Sequence, residues 1–190
     1  METNYKIEVK KITSWADVLD AANFTRNKKE QHKEPSEAFK KAMIKAEHSP
    51  LRCLLFAINF YDIPYYVSVH LCRHIHAQPF VSTSRPDINN SVKPRSEQLK
   101  SDPVNMKLFL NAQEIINISK ARLCNRAETE TRLIWLQAIR KLNDIEPVLA
   151  NACVPNCIYR GFCPEINSCG FSKHKLFSID SKAYCKHLNI

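Results

Sequence analysis

Glycine is nearly absent from this chain: two in 190 residues, Gly161 and Gly170. A phosphate-cradling loop or a dinucleotide fingerprint needs several glycines where backbone meets phosphate, so both are excluded. Any nucleotide or flavin must be held by side chains and helix ends. Long apolar runs are missing too, and none approaches the roughly 18 residues that cross a bilayer. The first residues, Met1 to Lys6, lack the apolar stretch of a secretory signal. A cytoplasmic protein with no membrane contact is therefore expected, and there eight cysteines read as thiols or metal ligands rather than disulfides. Acidic residues are the minority, 19 against 28 Lys and Arg, for a net charge of +9. Nucleotides, nucleic acid and acidic surfaces are all compatible partners.

A hydrophobic content of 44% is enough for one packed domain. Tyr5, Ile7 and Val9 alternate, which predicts a strand over 5–12. Ser14 should cap a helix from Trp15 to about Phe24, and Ser36 a second one carrying Phe39, Met43 and Ile44. The apolar run Leu51 to Phe60 reads as a buried strand. Pro64 suits the first turn of a helix running to about His76. Phe80 and Val81 suggest a short extended piece. Residues 86–103 are polar and hold three prolines, a loop long enough to read as a lid. Val104 to Leu110 is a strand, Asn111 caps a helix to about Leu123, and a longer helix spans Ala127 to about Asp144.

Function concentrates in Arg73-His-Ile-His-Ala-Gln-Pro-Phe-Val-Ser-Thr-Ser-Arg85. Two arginines, two imidazoles and three hydroxyls follow an apolar element, a combination suited to a phosphorylated nucleotide. This segment resembles the signature of the flavin-dependent thymidylate synthases, Arg-His-Arg-x-x-Ser-x-Asn-Glu-x-Ser-x-Arg. Arg73 and His74 match its opening, Thr83 stands at a hydroxyl position and Arg85 closes it at the same spacing. Ile75, Gln78, Phe80 and Val81 stand where the family has Arg, Ser, Asn and Glu. The approach through Pro64-Tyr-Tyr-Val and the His48-Ser-Pro50 turn are also similar. A second block agrees: Asn111-Ala112 opening a helix that contains Arg122, then Ala127, Glu130 and Arg132, with Arg140 eight residues further on. The two blocks cover roughly residues 48–147.

The resemblance implies an α/β fold with an antiparallel sheet packed with long helices, assembled as a homotetramer with sites shared between subunits. It implies methylation of dUMP to dTMP, with methylenetetrahydrofolate as one-carbon donor, FAD as flavin and NADPH as reductant. Thr83, Ser84, Arg85, Gln113 and Arg140 would bind the nucleotide, and Arg140 would also polarise the pyrimidine. Arg73, His74, His76, Asn117 and Arg122 would contact the flavin. The altered interior of the motif keeps open a different pyrimidine modification, such as hydroxymethylation, with a changed or lost flavin site. A basic, zinc-stabilised nucleic-acid-binding protein without catalysis is the reading from outside enzymology.

The chain divides on composition into residues 1–150, which carry both blocks, and a cysteine-rich tail, 151–190. Cys153, Cys157, Cys163 and Cys169 lie within 17 residues in the pattern C-x3-C-x5-C-x5-C. Thiolates at short spacing favour structural zinc or an iron–sulfur cluster. Cys185, His174 and His187 are alternative ligands. Cys53 and Cys124, in apolar or helical surroundings, read as inert core thiols, and His70 and Cys72 as core residues.

Overall fold

The computed structural model describes residues 5–89 and 93–190. Its centre is a four-stranded antiparallel sheet in the order β1-β2-β4-β3: β1 Ile7–Lys11, β2 Leu55–Pro64, β3 Gln78–Val81 and β4 Pro103–Asn111. The helices are α1 Trp15–Phe24, α2 Glu37–Lys45, α3 Tyr65–Leu71, α4 Pro86–Asn89, α5 Ala112–Arg122, α6 Thr129–Ile145, α7 Pro147–Ala150, α8 Asn156–Arg160 and α9 Lys175–Leu188. No helix among the described residues is long and apolar enough to cross a membrane.

One face of the sheet is the core. Phe56, Ile58 and Phe60 alternate inward on β2 and pair with Leu110, Leu108 and Met106 on β4. A bulge follows, with Asp62 in the left-handed region at φ 55° and its N–H donating to Asn105 Oδ1 at 3.0 Å. That extra residue moves Ile63, three places after Phe60, back to the buried face. Trp15 from α1, Ile115 and Ile118 from α5 and Trp135 from α6 complete the core. The outer face leaves Leu55, Phe80 and Phe109 exposed, the two phenylalanines edge to face.

Local chemistry sets the helix starts. Asp17 closes a capping box on Ser14, Ser36 Oγ accepts from Phe39 N–H, and Asn111 Oδ1 accepts from Glu114 N–H. Glu128 caps α6 by accepting from the N–H groups of Glu130 and Thr131.

Three elements differ from expectation. Ser49 to Cys53 is a 3-10 turn, because Ser49-Pro50 starts a helical turn and the strand begins only at Leu55. α3 ends at Leu71 rather than His76: Arg122, reaching over from α5, donates to the carbonyl of His70 at 2.6 Å and satisfies the helix end there. The 86–103 connection contains α4 and a 3-10 turn at Arg95–Glu97, whereas residues 90–92 of the expected lid lie outside the described residues. The tail packs against α2 and α5, and Cys153, Cys157, Ile158, Tyr184 and Leu188 belong to the same core as the sheet.

Candidate functional site

The expected site residues fall into three places. The first is a polar network along α5. Arg122 Nε donates to His74 Nε2 at 3.0 Å, which fixes that nitrogen as an acceptor and the imidazole as neutral. Burial, reinforced by the Arg122 charge, pushes the His74 pKa down to about 4. Burial also lowers the Arg122 pKa, with the Arg73 cation adding to it. His74 Nδ1 faces the buried Glu114 carboxylate at 3.9 Å. Glu114 accepts from Asn117 at 3.3 Å, Asn117 from Gln113 at 3.4 Å, and Gln113 donates to Glu47 at 2.6 Å. Lys120 pairs with Glu47 at 2.6 Å and lies 3.6 Å from the centre of the Tyr159 ring. Glu47 is held below the usual carboxylate range: burial opposes its charge, but hydrogen bonds from Lys120 and Tyr159 outweigh that penalty. Arg73 stands exposed beside this network, and His76 and Ile75 are exposed in the same turn.

The second place is a cavity of about 460 Å³ beyond β3. Thr83 and Ser84 line it together with Tyr65, Lys93, Arg95 and Lys100. Arg85 lies next to it and is paired with Asp87, Nη2 to Oδ2 at 2.5 Å. That contact holds the Asp87 carboxyl below its ordinary value. Gln98 fastens the loop by donating to the Ser84 carbonyl at 3.0 Å.

The third place holds Arg140. It is exposed on α6 and lines a shallow cavity with Tyr5, Ile7 and Asp144 on the β1 side of the molecule. β1 and β3 are opposite edges of the sheet. One chain therefore does not bring Arg140 and Arg85 together.

Several residues escaped the sequence reading. Glu114 carried a signal, a carboxylate among the buried positions of a mostly apolar helix face. Lys93, Arg95 and Lys100 carried another, three cations in the segment just after the motif. Glu47 carried none, because its role depends on a left-handed φ of 46° at the end of α2. Cys72 is exposed rather than in the core, and His70 is half-buried, with Nδ1 2.8 Å from Thr131 Oγ1.

The tail cysteines are spread around one cavity. Among the described residues, the one group of three metal-ligand atoms lying within 4.8 Å of one another is Asp20, Glu30 and His32. Asp20 there accepts from the N–H groups of Gln31 and His32 and so closes the 26–34 loop. Cys153, Cys157, Cys163 and Cys169 do not approach one another as closely as a single tetrahedral zinc requires.

No family model and no curated protein matches the sequence. Solved structures do match. Flavin-dependent thymidylate synthase ThyX from Helicobacter pylori, complexed with FAD and dUMP, superposes with a TM-score of 0.65 at 14% identity, over 78% of this chain and 99% of that one. The chain has the flavin-dependent thymidylate synthase fold. A second structure of that H. pylori enzyme gives TM-score 0.65 at 14% identity, over 80% and 99% of the two chains. The UMP/dUMP methylase PolB from Streptomyces cacaoi, bound with 5-Br dUMP, gives 0.62 at 12% identity, over 85% and 97%. These thymidylate synthase-fold chains are covered almost completely, so this chain carries residues beyond the shared fold.

Proposed function

We propose that this chain modifies a pyrimidine deoxynucleotide, methylating dUMP to dTMP with methylenetetrahydrofolate, FAD and NADPH. The observation that carries the reading is the α5 network. It joins His74, Gln113, Asn117 and Arg122, with Arg73 at its edge, inside a fold that binds FAD and dUMP in the H. pylori enzyme. His74 and Arg122 are 48 residues apart in sequence, and a nucleic-acid-binding surface gives no reason for them to meet.

Each group has a chemical part. Thr83 and Ser84 offer hydroxyls and Arg85 a bidentate fork to a nucleotide phosphate, and Lys93, Arg95 and Lys100 add positive charge around the same cavity. Arg140 would sit where negative charge develops on the pyrimidine. Arg73 is an exposed cation with no hydrogen bond or ion pair among the described residues, so it fits a flavin phosphate or ring carbonyl. Arg122 holds the neutral His74 behind it and fixes the ring's orientation. A reduced flavin, when bound, supplies the hydride and relays the one-carbon unit. Because Arg85 and Arg140 lie past opposite sheet edges, the complete site is shared between copies of the chain in a homotetramer. The exposed Leu55, Phe80 and Phe109 offer apolar surface for that assembly. In this reading residues 1–150 form the catalytic unit and 151–190 an extension docked on it.

Ile75 favours a second reading. Its side chain is 82% exposed where the family carries an arginine, so a phosphate there meets no cation. A related modification, such as hydroxymethylation, with an altered flavin site follows from that change. Incubating the full chain with dUMP, methylenetetrahydrofolate, FAD and NADPH and weighing the nucleotide by mass spectrometry separates the two. Added methyl supports the first reading and added hydroxymethyl the second. Failure to bind dUMP refutes both.

A further inference from the structure

The cavity between the end of α5, α6 and the tail has a volume of about 370 Å³ and is lined by five of the chain's eight cysteines: Cys124, Cys153, Cys157, Cys163 and Cys169. None of the residues given a nucleotide or flavin role lines it. We infer that this cavity is an iron–sulfur cluster site whose ligands are Cys124, Cys157, Cys163 and Cys169.

The ligand set follows from where each sulfur sits. Cys153 is buried, and its thiol donates to the Leu149 carbonyl at 3.4 Å, a bond back onto α7 that satisfies it as a core residue. Cys124 takes its place. It lies two residues past α5, half-buried, and lines the same cavity. Sequence spacing hid it, since 33 residues separate it from Cys157. The remaining three are brought to the cavity by tight turns. Cys157 sits in α8, which ends at Gly161 with φ 77°, and Cys163 stands two residues further on. Gly170, with φ 82°, follows Cys169 directly. Both glycines of the chain thus occupy left-handed positions that place cluster cysteines.

Geometry also selects the occupant. A single zinc ion at about 2.3 Å from each sulfur holds its thiolates within roughly 4 Å of one another. No three of these sulfurs come within 4.8 Å of each other, and the cavity they help to line is far larger than one ion needs. An iron–sulfur core holds its four thiolates apart by its own width, which suits cysteines that line one cavity without converging on a point. Arg132 on the wall offsets part of the negative charge, while Glu165 and Asp180 add to it. The site abuts the nucleotide-modifying half through α5, since Cys124 is two residues from Arg122.

The test uses the full chain purified without oxygen and reconstituted with ferrous iron and sulfide. Acid-labile sulfide is the deciding readout because flavin contains none. Iron and sulfide in equal amounts per chain are expected, lost in Cys124→Ser and kept in Cys153→Ala. A second measurement needs no variant: alkylation mapped by mass spectrometry. Cys124, Cys157, Cys163 and Cys169 should be protected until a chelator is added, although Cys169 is exposed in the structure, whereas Cys72 should label throughout. Zinc without sulfide, no bound metal after reconstitution, or a cluster that survives Cys124→Ser but not Cys153→Ala would each overturn the inference.

Discussion

Replacing His74 with glutamine isolates the chemistry of the α5 network. In the native protein Arg122 donates to His74 Nε2, and the imidazole resists protonation down to a pKa of about 4. In the unfolded chain the same group titrates near 6.5. Above that value the ring is neutral in both states and contributes nothing to the pH dependence. As pH falls below it, the unfolded chain takes up a proton that the native state refuses, so stability drops through the window from 6.5 to about 4. The full depression corresponds to about 3 kcal/mol. Water still reaches 14% of the side chain, so the realised figure is nearer 2 kcal/mol. Glutamine keeps an oxygen that can accept from Arg122 and removes the titration. Urea unfolding of both proteins at about pH 7 and about pH 4.5 gives the comparison, with the variant losing about 2 kcal/mol less than wild type between the two. Contributions from other titrating groups cancel in that difference. Equal losses in the two proteins would show that His74 is not held neutral and that the network is wrongly assigned.

Other outcomes follow from the same contacts. Asp87→Asn releases Arg85 from its ion pair and should tighten dUMP binding by about two- to fivefold in a calorimetric titration; unchanged affinity would mean Arg85 does not meet the phosphate. Glu146→Ala strands the buried Trp15 indole N–H, 2.9 Å from Glu146 Oε1, and the Lys11 ammonium, and should cost about 3 kcal/mol in urea unfolding. Ile75→Arg restores a cation to the exposed position in the motif and should tighten FAD binding by about tenfold, read by flavin fluorescence.

Much of the fold was legible because its signals are local. The inward alternation of β2 and β4 and the caps at Ser14, Ser36 and Asn111 all depend on neighbours within a few residues. The end of α3 was not legible, since it is set by Arg122, which lies 52 residues from the carbonyl it caps. The same distance problem hid the site's organisation. The motif identified Arg73 and Arg85 as one unit, yet β3 carries them to separate places. Glu47 enters the α5 network only through the turn that ends α2, and Cys124 joins the tail cysteines only because α8 packs on α5. Contacts between elements decided these cases, and one-dimensional spacing does not carry that information.

A mixing experiment tests the proposed nucleotide site built from Arg85 of one copy and Arg140 of another. Arg85→Ala and Arg140→Ala, each prepared alone, should lose at least about tenfold in dUMP turnover. Unfolded and refolded together, they should form mixed assemblies in which some sites carry both arginines, and turnover should partly return. Mixtures that stay as inactive as either variant, despite verified subunit exchange, would contradict the shared site.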